Sequence, residues 1–121
     1  MLVHVEIDLR RAAKISSAMD RLQMLKDLLS QDPNNQLARY GLGMEYSNKG
    51  DVEAAVTEFK NLLQINPNYA NAYFMAAQTL AKAERTDEAK HMLMEGITAA
   101  ARTGNSHAQS EMQAMLDELE Y

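Results

Sequence analysis

Residues 33–67 read PNNQLARYGLGMEYSNKGDVEAAVTEFKNLLQINP, and the fold of the chain is decided within this stretch. Pro33 and Pro67 stand 34 residues apart, each preceded by Asp or Asn and followed by Asn. Leu37, Tyr40, Leu42, Met44 and Tyr46 fall around a helix whose buried stripe is Leu42, Gly43 and Tyr46. That places a first helix from about Asn35 to Asn48, with Asn34 or Asn35 as the cap, since a short amide side chain accepts from backbone N–H groups two or three residues on. Gly50 stops it by taking the left-handed conformation. A second helix, from about Val52 to Ile65, buries Ala55, Val56, Phe59, Leu62 and Leu63 until Asn66-Pro67 ends it. The short turn between the two makes them antiparallel neighbours.

Gly41 and Gly43 each cost about 1 kcal/mol relative to alanine inside a helix, so they need a reason. Close helix contact supplies it: Gly43 is expected to approach the small Ala55, with Tyr46 and Phe59 filling the space on either side.

Leu42, Gly43, Tyr46, Ala55, Phe59 and Pro67 together resemble the tetratricopeptide repeat, whose small, Gly, Tyr, Ala, Phe and Pro positions recur at a 34-residue period. Leu62 stands where the family often has a small residue and Arg39 where it usually has an aromatic. The resemblance, to a small bacterial-type member, implies an all-α fold: antiparallel helix pairs stacked as a short right-handed superhelix, here two full repeats plus capping helices.

A second copy follows Pro67, with Tyr73, Ala76, Ala77 and Leu80 in its first helix and Ala89, Leu93, Gly96 and Ile97 in its second. Ala89 keeps the register of Ala55, while Ala101 stands where proline is expected. Leu22, Leu25, Leu28 and Leu29 lie 34 residues before Val56, Phe59, Leu62 and Leu63, and Ser17 with Asp20 resembles a capping box. Asn105 or Ser106 caps a last helix striped by Ala108, Met112, Met115 and Leu119. The expected division is a leader at 1–17 and a repeat domain at 18–121. The domain comprises an amino-terminal capping helix (18–33), repeats at 34–67 and 68–101, and a carboxyl-terminal capping helix (104–121). Two repeats fall below the usual minimum of three, so both open ends need cover. In the leader, Val3, Val5, Ile7 and Leu9 alternate with polar residues at strand period. It is left open whether this segment pairs with a second copy, continues as helix or stays loose.

Composition bounds the function. At 121 residues one domain is expected. The lack of cysteine excludes disulfides and thiolate chemistry and fits a reducing compartment. A net charge of −5 opposes nonspecific binding to nucleic acid or anionic lipid. With no apolar run of ~20 residues and with Glu6 and Asp8 interrupting the amino terminus, a cytoplasmic protein without membrane contact is expected. No catalytic residues, cofactor or metal are expected. His4, His91 and His107 lie on three separate elements without a carboxylate at ligand spacing, and Ser106 beside His107 has no third partner.

What remains is a surface. In the family, the first helices of successive repeats line a concave groove that takes extended peptides or a partner's helix. Carried over by position, the resemblance assigns that groove Leu37, Tyr40, Met44 and Ser47, then Asn71, Phe74, Met75 and Gln78, with Asn105 and Met112 from the last helix. Tyr40, Met44, Phe74 and Met75 would form an adaptable apolar centre. The alternative is that these side chains pack against the chain's own helices. The Lys and Asn clamp with which chaperone-binding members hold a terminal carboxylate is missing, since Tyr40, Met44 and Met75 occupy its places. The expected function is therefore an interaction scaffold for a protein or peptide segment. The alternative is a self-assembling element, a homodimer through the groove or the leader.

Overall fold

The computed structural model describes residues 20–120. The leader, its strand-like alternation and the Ser17 capping box lie outside the described residues. Within them are six helices and no strand: α1 over 20–31, α2 Gln36–Asn48, α3 Val52–Ile65, α4 Ala70–Lys82, α5 Thr86–Arg102 and α6 Ser106–Leu119. Each packs on the next from α2 to α6, and the alternate helices α2, α4 and α6 touch more lightly along one side. The result is the all-α stack of antiparallel helix pairs.

Local chemistry sets the boundaries. Asn35, Asp51 and Asn105 each accept from the N–H three residues on, at 3.0, 3.2 and 3.1 Å, which satisfies donors that the first turn leaves open. Asn66 is extended, as a residue before proline is forced to be, and α3 ends there. Where α3 meets Pro67, α5 meets Ala101 and runs on to Arg102, past the expected repeat boundary at residue 101. Gly50 takes φ +81 in the turn after α2, and its equivalent one repeat later, Glu84, is held at φ +62.

The core runs the length of the stack, with Phe59, Leu62, Leu80, Leu93 and Met112 essentially without solvent contact. Burying a side chain of this size contributes about 1.5–3 kcal/mol. Between them Ala55, Ala72, Ala76, Ala77 and Ala89 are completely buried, and their small size lets the helices approach. Gly43 marks a close approach of a different kind from the one expected. A Cβ there would stand 2.7 Å from Phe59 Cε1, so the Phe59 ring itself fills the vacant place, where Ala55 was expected.

Arg39 and Tyr73 stand at the same place in the two repeats and donate to equivalent carbonyls. Arg39 Nε reaches Pro33 O at 3.0 Å, and the Tyr73 hydroxyl reaches Pro67 O at 2.7 Å. Arg39 also pairs with Glu58 at 3.0 Å, which neutralises its half-buried charge. Thus a cation does here what the tyrosine does one repeat later.

At the amino-terminal end α1 rests on α2. Leu25 meets Gly41, Arg21 pairs with Glu45 at 3.1 Å, and the Lys26 ammonium lies 6.0 Å above the Tyr46 ring. Leu22, Leu25 and Leu29 are half-buried, but Leu28 is 44% exposed although its equivalent Leu62 is fully buried. Among the described residues nothing stands before α1 as α2 stands before α3.

Candidate partner-binding groove

The side of the stack to which the resemblance assigns a groove is that of α2, α4 and α6, which touch along it. From α2, Leu37 is the most exposed large apolar side chain among the described residues, at 75%. Tyr40 is half-buried, its ring 6.0 Å from Phe59 and 5.6 Å from Tyr69. Burial, with Tyr69 adding to it, pushes the Tyr40 hydroxyl above its usual range, so it stays a neutral donor and acceptor. Met44 is half-buried and packs against the core. From α4, Asn71 is exposed, Phe74 and Met75 are half-buried against the core, and Gln78 is half-buried. The aromatic and methionine side chains therefore present one part to the core and another to solvent.

Ser47 is tied differently. The Thr79 hydroxyl donates to Met75 O at 2.7 Å, so its only proton is used and Ser47 Oγ must be the donor in the 2.9 Å bond between them. Ser47 thereby locks α2 to α4, with Thr79 only 5% exposed.

The last helix departs from the expected assignment. Met112 is buried in the core at 1% exposure, as its place in the apolar stripe implies and its groove assignment does not, and Asn105 is the cap of α6, one of the two caps expected. The cause lies upstream. Without a proline at 101, α5 extends to Arg102, and the capping residues fall at Asn35, Tyr69 and Asn105, spaced by 34 and then 36 residues. The two extra residues carry Met112 round to the place of Leu42 and Ala76, both buried. Ala114 takes the place corresponding to Met44 and Gln78. Glu111, Ala114, Met115 and Glu118 of α6 then border an open depression of about 330 Å³ with Phe74 and Gln78. The sequence carried the signal, a missing proline followed by a capping Asn two residues late.

A larger depression of about 710 Å³ opens on another face, between α3 and α5, floored by Leu63, Tyr73, Leu80 and Met92 and rimmed by Lys60, Asp87, His91 and Glu95 among others. The described residues contain no group of three metal-ligating side chains and no helix long and apolar enough to cross a membrane.

A family model of the tetratricopeptide repeat matches residues 48–116, more than half of the chain, and the chain belongs to that family. A TPR repeat-containing protein of Pseudomonas aeruginosa is 26% identical over 99 residues, covering 82% of this chain and 94% of its own. Among solved structures, the TPR2B domain of yeast Sti1 in complex with pHsp70 superposes with a TM-score of 0.77 at 13% identity, covering 92% of this chain and 89% of that one. PcrH in complex with the chaperone-binding region of PopD gives 0.77 at 18% identity, with 91% and 84% covered. At these identities the two likenesses bear on the fold.

Proposed function

We propose that this chain is a protein-interaction scaffold that holds an extended or helical segment of a partner in the groove of α2, α4 and α6. The observation that carries the proposal is the half-exposure of Tyr40, Met44, Phe74 and Met75 on the groove side, beside the exposed Leu37. Large apolar side chains that keep solvent contact on one face of a small domain mark an interaction site. Methionine and aromatic side chains supply adaptable contact area at low entropic cost. Asn71 and Gln78 add amide groups that can bond a partner's backbone. That two structural neighbours were solved with partner segments supports the same use of the fold here. Apolar burial is only weakly screened, so the interaction survives raised salt.

The test is capture by the full chain with the Tyr40→Ala/Phe74→Ala double variant as control, together with light scattering over a concentration series. A partner retained by the wild type and lost by the folded double variant, with the chain monomeric throughout, is the expected result. Concentration-dependent dimers abolished by the same substitutions would place a second copy in the groove and contradict a heterologous partner.

A further inference from the structure

We infer that the α4–α6 end of the groove is an arginine-reading subsite, so that the bound segment carries an arginine flanked by apolar residues. This rests on the groove reading above and specifies its partner.

The depression beside Phe74 exists because Ala114 is small where α2 has Met44 and α4 has Gln78. Phe74, Ala114 and Met115 give it an apolar lining, which suits an aliphatic stem. Glu111 and Glu118 border the same depression, and Gln78 adds an amide. The two glutamates are seven residues apart, so about 10 Å along the helix axis, with Ala114 and Met115 between them. Two flexible carboxylates at that spacing can close on one guanidinium from opposite sides. Among the described residues, the ion pair made by either is that of Glu111 with His107 at 3.4 Å, with His107 86% exposed. Glu118 is joined to no cation there, and Lys82 at the end of α4 pairs with neither.

An apolar floor between two carboxylates is complementary to a long cationic side chain. Arginine fits better than lysine, because its planar guanidinium stacks on an aromatic ring and offers five donors in a fixed fork. A partner presenting a carboxylate at this end would meet like charge. Charge reading of this kind selects the partner and its register, while the Tyr40 to Met75 stretch supplies the apolar anchoring.

The test uses the full chain and two tripeptides, acetyl-Leu-Arg-Leu-amide and its isostere with citrulline, which keeps the shape and removes the charge. Binding is followed by chemical shifts of the Phe74, Met75, Met115, Glu111 and Glu118 groups. The arginine peptide is expected to bind about fivefold more tightly than the citrulline peptide, the size of a favourable partly exposed ion pair. That preference should vanish in Glu111→Gln/Glu118→Gln and in about 0.5 M salt, while the shifts at Phe74 and Met75 persist. Equal affinity for both peptides, or a preference retained by the double variant, would overturn the arginine subsite and leave the groove standing. Shifts at none of the groove residues with either peptide would overturn the subsite and the groove reading together.

Discussion

The Phe59 ring occupies the space that a side chain on Gly43 would need: a Cβ built there meets Cε1, Cδ1 and Cζ at 2.7, 2.9 and 2.9 Å. Phe59 is completely buried, so the ring has nowhere to yield. Gly41, two residues earlier, faces only the flexible end of Leu25, at 3.3 Å. Two glycines in one helix thus answer to different neighbours.

Their alanine variants should part company. Gly43→Ala overpacks the α2–α3 contact, at a typical cost of about 1–3 kcal/mol that outweighs the gain in helix propensity, and Gly43→Leu should cost more. Gly41→Ala, where the Leu25 methyls can move aside, should be neutral or stabilise by up to about 1 kcal/mol. Urea midpoints of the variants decide this, and an unchanged midpoint for Gly43→Leu would contradict the contact.

Glu84 holds φ +62 in the turn where the preceding repeat uses Gly50. A left-handed conformation costs a residue with a Cβ roughly 1–2 kcal/mol, of which glycine's greater unfolded-state entropy returns about 0.5–1. Glu84→Gly should therefore stabilise the chain by up to about 1 kcal/mol, visible as a higher midpoint in denaturant. A loss of stability would mean that the Glu84 side chain contributes something its exposed position does not suggest.

The shifted register of α6 makes its own prediction. Met112, fully buried beneath Gly96, should cost about 2–5 kcal/mol on truncation to alanine. Ala114→Met, on the exposed side of the same helix, should change stability by no more than about 0.5 kcal/mol while filling the depression beside Phe74. Thermal melts of the two variants separate the registers, since a strict 34-residue spacing would put Met112 at the half-buried place of Met44 and Gln78.

These elements also mark how far the sequence can be read. The helix pairs were legible because Leu42, Ala55, Phe59, Ala76, Ala89 and Leu93 recur at helical spacing and Gly50 and Pro67 punctuate them. The place of α6 was harder to read, since a repeat period is local arithmetic. The run of α5 past Ala101 and the cap at Asn105 break the period, so the groove place carried over to Met112 conflicts with its place in the apolar stripe of the last helix, and the packing decides for the stripe. Likewise Gly43 signalled a close contact without saying that Phe59, rather than Ala55, makes it. On α2 and α4 the 34-residue register holds, whereas the expected assignment did not include the α6 residues that border the depression beside Phe74, because the register shifts there.

Anchoring of a partner segment by the apolar centre of the groove stands or falls at Phe74. A peptide selected from a random library on the full chain should bind Phe74→Ala more weakly by on the order of 2 kcal/mol, or about 30-fold, as aromatic hot spots do. Circular dichroism of the variant should still report a folded helical chain, because Phe74 is only half-buried. Unfolding of Phe74→Ala would make Phe74 a core residue, and undiminished affinity in a folded variant would place the binding surface elsewhere; either result would rule out anchoring at Phe74.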